Sequence, residues 1–269
     1  WPFLLCKMQK FFLEVGKVVG ARSEFCWSQV NEFIPSEGDK LLKRGQLIVA
    51  LSIGSETAGL IELGREVMTR IREEYYGSID VSVEEHLKIV LKKIAQEFDE
   101  VETLDVEALV VLGNACFLAI LGSGKIFLKR GEKAALLLKE EEGRVVTSSG
   151  FLKDKDIFAL LSLKALEVVG EKNLYASIMK PSVVEISDGL VSIIHSQKED
   201  GLSAVSIVGV EENKEVNEDI ENLAQVVGKT IDFPKEGSSP KSRFKPKGVK
   251  LENFKRTLML KRGSFGRSF

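Results

Sequence analysis

VEALVVLGN (106–114), ACFLAILG (115–122), KIFLKRG (125–131), AALLLKEEEG (134–143), RVVTSS (144–149) and DIFALLS (156–162) follow one another in the middle of the chain. Each is an apolar block of strand length. Gly113-Asn114, Gly122-Ser123-Gly124, Gly131 and Gly143 punctuate them. Short blocks separated by turn residues predict consecutive antiparallel hairpins, with 122–124 as a hairpin turn. Working back toward the N-terminus, 46–54 (QLIVALSIG) is a continuous apolar run, as a strand buried on both faces should be. The stretches 11–19 and 24–33 are rich in aromatic and β-branched residues and also read as strands, while 35–45 is polar and turn-like.

Two helices are expected between the strand at 46–54 and the hairpins. The first starts near Ser55-Glu56-Thr57 and runs to about Tyr76, with Leu60, Leu63, Val67 and Ile71 on one face. The second starts at Ser82, where Glu85 completes a capping box, and carries the stripe Val83, Leu87, Val90, Ile94 and Phe98. Beyond the hairpins, helical patterns return at 163–169 and from Pro181, placed in the first turn, to His195, with Gly189 as a weak point. A last strand, 202–210, closes the domain. Each helix is one-sided and each sheet has two apolar faces. An α+β, four-layer α-β-β-α sandwich satisfies all of them: two mostly antiparallel sheets face to face, helices outside.

The 269 residues hold 44% hydrophobic and 29% charged side chains, which excludes collagen-like, wholly disordered and disulfide-scaffold classes. No apolar run approaches a membrane span. Cys6, Cys26 and Cys116 are odd in number and lack CxxC spacing, so a reducing, cytoplasmic setting is expected. Trp1–Lys7 lacks a signal-peptide cleavage site, and Met8 is the expected start of the domain. The near-neutral charge hides a split: 235–269 holds 11 Lys+Arg against 2 Glu, and the preceding body is acidic. The expected organisation is a folded domain over 8–210, an acidic linker over 211–234 and a basic, disordered tail over 235–269.

Chemistry-bearing motifs are scarce. With only His86 and His195, a histidine-rich metal site is excluded, and His86 reads as a surface residue. There is no GxSxG, HExxH or GxGxxG. Gly122-Ser123-Gly124-Lys125 has the look of a clipped phosphate loop but lacks the upstream glycine and the hydroxyl residue that follows the lysine.

Over 11–210, the order of these elements and several short strings resemble the metal-dependent protein serine/threonine phosphatases of type 2C, the PPM-type domain. V49-A50-L51-S52-I53-G54-S55-E56-T57-A58-G59 follows the frame in which that family places an aspartate-glycine pair before its first long helix. Leu51 stands at the position of the metal-bridging aspartate and Ser52 at its glycine. G122-S123-G124-K125-I126-F127 matches a Gly-Asp-Ser-Arg turn, with Ser123 for the aspartate. L160-L161-S162-L163-K164 matches Ser-Asp-Gly, with Leu163 for a ligand aspartate. D200-G201-L202-S203-A204-V205 matches the closing Asp-Asn-x-Thr, where Asp200 keeps a carboxylate and Ser203 a hydroxyl. Arg22 and Glu24 lie in the region of the N-terminal acidic element.

The resemblance implies a pair of divalent ions that activate water for attack on phosphoserine or phosphothreonine. Such ions need carboxylate oxygens, which leucine cannot supply. Leu51 and Leu163 are expected to pack the cleft floor instead, leaving Leu51, Ser52, Ser123, Leu163 and Asp200 as degenerate cleft positions. The expected function is therefore a bacterial-like pseudophosphatase, a binding or regulatory module with a protein partner, no catalytic residue and no cofactor. The alternative is a divergent phosphatase using Mg2+ or Mn2+, with Asp200 and Glu24 as weak metal candidates. A third reading rests on the tail, where Arg243, Lys245, Lys247, Lys250, Lys255, Arg256, Lys261 and Arg262 interleave with apolar residues. That pattern suits an anionic membrane surface at the inner face of a membrane, nucleic acid as a weaker alternative, or a merely solvated tail.

Overall fold

The computed structural model describes residues 10–56, 59–139, 144–197 and 201–213. The chain divides into a unit over Trp1–Gln225 and a second over Val226–Phe269. The second unit, and with it every tail cation named above, lies outside the described residues; so do Asp200 and most of the acidic linker.

Ten strands and six helices are described. They are β1 (Phe11–Val19), β2 (Cys26–Phe33), α1 (Gly38–Arg44), β3 (Gln46–Gly54), α2 (Leu60–Gly77), α3 (Val83–Glu97), β4 (Thr103–Leu112), β5 (Ala115–Leu121), β6 (Lys125–Arg130), β7 (Lys133–Lys139), β8 (Val146–Phe151), β9 (Ile157–Leu161), α4 (Leu163–Val169), α5 (Glu171–Ile178), α6 (Val183–Ile194) and β10 (Ala204–Glu212). They form two antiparallel five-stranded sheets, ordered β1-β10-β9-β6-β7 and β2-β3-β4-β5-β8.

Three buried clusters mark the three interfaces of a four-layer sandwich. Leu47, Val49, Leu51 and Ile53 of β3 join Val67 and Ile71 of α2 and Leu87 and Ile94 of α3. The alternate residues Ile48 and Ala50 join Leu109, Leu118, Phe158 and Val208 between the sheets. On the far side, Ala159, Leu161, Val205 and Ile207 meet Leu166, Ile186, Leu190 and Ile194 of the C-terminal helices. Period-two alternation sends successive side chains into different layers, so β3 is buried at every position. Among the described residues no helix is long and apolar enough to cross a membrane.

Several local expectations are corrected. The hairpin series is broken: β4–β5 and β6–β7 are hairpins, but β5 and β6 belong to different sheets. Gly122–Gly124 is thus a crossover between the sheets, not a hairpin turn. The polar segment before β3 contains α1, whose Arg44 is buried and donates to the carbonyls of Ser78 (2.7 Å) and Val81 (3.0 Å). A charged side chain that satisfies the end of a neighbouring helix gives no hydrophobic periodicity. His86 is likewise buried, its Nε2 3.1 Å from the carbonyl oxygens of Glu74 and Tyr75 near the end of α2. Helix α2 starts at Leu60 after Gly59 at φ 89°, without a side-chain cap, whereas Ser82 caps α3 as expected. Pro181 precedes the cap of α6, which is Ser182 accepting from the Glu185 N–H at 3.2 Å. Helix α5, between the two helices expected at the C-terminal end, has no counterpart in the reading of the sequence.

Candidate functional site

The inter-sheet face of β2, β3 and β4 is apolar at its centre and polar at both ends, with Gln46 and Glu32 at one and a serine-carboxylate row at the other. At the latter end Ser28, Ser52 and Asp105 stand side by side in register across the three strands. One step inward the row is Val30, Ala50, Glu107 and Ile120, so Glu107 is a carboxyl set among hydrocarbon neighbours.

Each hydroxyl at this rim has a structural task. Ser52 Oγ and Ser162 Oγ both donate to the Leu202 carbonyl, at 2.7 and 2.8 Å. Ser28 Oγ donates to the Ser203 carbonyl at 3.0 Å. Ser162 Oγ also accepts from the N–H groups of Ala204 (3.0 Å) and Ala165 (3.4 Å), the latter as the cap of α4. The Ser28 and Ser52 bonds fasten the segment entering β10 to the opposite sheet, and the Ser162 bonds tie it to the end of β9.

Asp105 is buried and gathers two of the positions expected from the sequence. Its Oδ1 accepts from the Ser123 N–H at 2.8 Å and its Oδ2 from the Leu163 N–H at 3.4 Å. The crossover glycines fit around the carboxyls. A Cβ on Gly122 would lie 2.3 Å from Asp105 Oδ1, and one on Gly124 would lie 1.8 Å from Glu107 Oε1. Neither oxygen of Glu107 has a hydrogen-bond partner among the described residues. Burial, reinforced by the nearby charge of Asp105, raises its pKa well above the usual carboxylate range. Burial thus favours the protonated form of Glu107.

The expected site residues divide into two groups. Ser52, Ser123 and Leu163 converge on Asp105, Leu163 through its backbone N–H. Leu51 does not join them: it points away from the inter-sheet rim into the layer beneath α2 and α3. Nor does the Leu163 side chain pack a cleft floor, since Leu163 is 38% exposed at the start of α4. The expectation that these two leucines fill the cleft is corrected: a one-residue step along β3 turns Leu51 to the opposite face, and Leu163 opens the helix α4. Glu24 is exposed ahead of β2, and Asp200 lies outside the described residues. Reading the sequence missed Asp105 and Glu107, although two carboxylates two positions apart inside an apolar strand were the available signal.

Mg2+ or Mn2+ in pairs would need several converging carboxylates. Among the described residues no group of three or more His, Cys, Asp or Glu could hold a metal ion.

No family model and no curated protein sequence matches the chain. Solved structures do. The Mycobacterium tuberculosis serine/threonine phosphatase PstP/Ppp superposes with TM-score 0.54 at 11% identity, covering 76% of this chain and 99% of its own. PstP has also been solved as a catalytic domain in complex with two manganese ions. The Streptococcus agalactiae enzyme (S. agalactiae serine/threonine phosphatase) gives TM-score 0.56 at 12% identity, covering 75% and 100%. The phosphatase domain of the cell fate determinant SpoIIE from Bacillus subtilis gives 0.51 at 16% identity, covering 87% and 99%. With its paired five-stranded sheets, outer helices and near-complete coverage of these domains, the chain has the fold of the PPM-type, or type 2C, serine/threonine phosphatases.

Proposed function

We propose that this domain is a pseudophosphatase, a PPM-type fold that works as a binding or regulatory module. The supporting observation is how the rim is used. Ser28 and Ser52 are spent on carbonyls of the segment entering β10, across the sandwich, and Ser162 on the same segment within its own sheet. Asp105 is held by two backbone N–H groups, and burial raises the pKa of Glu107. Without a bound cation to lower its pKa, a water at this rim is a poor nucleophile at neutral pH. Incubating the full chain with a phosphoserine peptide and Mn2+ should release no phosphate above blank. Hydrolysis that disappears in Asp105→Asn or Asp200→Ala would refute the proposal.

One observation favours a second reading, a divergent phosphatase with a single cation. The two unpartnered oxygens of Glu107 beside Asp105 are donors that a divalent ion would satisfy. A ligand of the folded state raises the melting temperature by mass action. A melting temperature flat across Mg2+ and Mn2+ titrations eliminates this reading.

A further inference from the structure

On the outer side of the β2-β3-β4-β5-β8 sheet, α3 and the strand ends beside it enclose a groove of about 470 Å³. That volume falls within the range of roughly 300–1,000 Å³ usual for small-molecule sites. Lys88 and Lys92 line it from one face of α3, a helical turn apart, with Gln96 a further turn on. Arg144, just ahead of β8, contributes a third cation. Leu121 and Val145 supply an apolar floor, and among the described residues no acid lines the groove.

The surrounding charges sharpen the contrast. On α2 and α3, Lys93 pairs with Glu74 at 2.6 Å and Arg70 with Glu97 at 2.7 Å. Among the described residues, Lys88, Lys92 and Arg144 enter no ion pair. Glu84, one turn before Lys88, has its two oxygens taken by Thr147 Oγ1 (3.2 Å) and Ser149 Oγ (2.8 Å) of β8. Three cations over an apolar floor suit a multiply charged anion with a compact apolar body. Arg144 offers the planar fork that matches phosphate, and the two lysines offer point charges.

We propose that this groove binds an organic phosphate of nucleotide size, its phosphates held by Lys88, Lys92 and Arg144 and its body resting on Leu121 and Val145. The site stands apart from the inter-sheet rim and does not depend on whether that rim performs chemistry.

The test titrates ADP into the full chain and follows the methyl NMR signals of Ala95, Leu121 and Val145 together with the melting temperature. Because the basic tail also attracts anions, two charge-matched variants are compared, K88Q/K92Q/R144Q and K245Q/K247Q/K250Q. All three groove positions are exposed, so the groove variant should keep the wild-type circular dichroism. The expected result is a saturable shift of the three methyl signals. Removing three charge-assisted contacts should weaken binding by at least about tenfold in the groove variant, with the tail variant unchanged. Unmoved methyl signals, or equal binding by the groove variant, overturn the proposal. A phosphoserine peptide that moves these signals where ADP does not would overturn it in favour of a peptide site.

Discussion

Gly124 and Glu107 occupy adjoining space so tightly that a Cβ on the glycine would lie 1.8 Å from Glu107 Oε1 and 2.7 Å from the Leu161 carbonyl. The chain passes from one sheet to the other over a buried carboxyl, and only a residue without a side chain fits there. Gly124→Ala should therefore destabilise the domain by about 1–3 kcal/mol, the usual cost of overpacking. In urea unfolding, the Gly124→Ala/Glu107→Ala pair should lose less than the sum of the single variants, because the neighbours share one volume.

Glu107 also sets a pH dependence. Its folded-state pKa is raised above the ordinary 4.5, so below that value the acid is protonated in both states and carries no penalty. Above it the unfolded chain releases a proton that the folded chain retains. Stability then falls by up to about 1.4 kcal/mol per pH unit until the folded-state pKa is reached. Glu107→Gln removes this slope. Urea titrations between pH 4 and pH 7 should show the variant gaining on the wild type as the pH rises; parallel curves would count against a neutral Glu107.

The two serines that share the Leu202 carbonyl are not equivalent. Ser52→Ala removes one hydrogen bond, at a cost of about 1 kcal/mol. Ser162→Ala removes the same kind of bond, the cap of α4 and the acceptor for the Ala204 N–H, so it should cost about twice as much. Chemical denaturation ranks the two variants directly.

Arg130 and Asp156 form the most demanding ion pair described. Asp156 is fully buried and is held at 2.8 and 2.6 Å by the guanidinium, which also reaches the Phe151 carbonyl at 2.9 Å. Arg130→Ala leaves the carboxylate with only the Lys153 N–H, at 2.8 Å. A loss of about 3–5 kcal/mol is expected, read as an earlier unfolding midpoint.

Leu51→Asp distinguishes strand face from motif position. An aspartate there enters the apolar layer beneath α2 and α3, not the rim beside Asp105. The variant should be destabilised by several kcal/mol and gain no Mn2+-dependent rise in melting temperature. A gain in Mn2+ affinity would show that position 51 reaches the inter-sheet site.

Much of the architecture was legible in the residues. The apolar run at 46–54, the α3 stripe from Val83 to Phe98 and the glycine-punctuated blocks after Val106 predict the strands, the helices and their layering, because burial on one face or two leaves a periodic trace. Arg44, His86 and helix α5 were not legible: a buried polar side chain that bonds to distant carbonyls has no local signature. Among the expected site positions, Ser52, Ser123 and Leu163 do come together, yet the carboxylate at their centre, Asp105, was not singled out.

The sequence by itself determined the strands, the helices α2, α3, α4 and α6, and that two sheets must be covered by helices, since these follow from periodicity and apolar content. Only the tertiary structure decided that Gly122–Gly124 crosses between sheets, that Leu51 faces the helices, and that Asp105 and Glu107 lie between the sheets. Those outcomes depend on strand register and on which sheet each strand joins, and a single step of register exchanges the two faces of a strand.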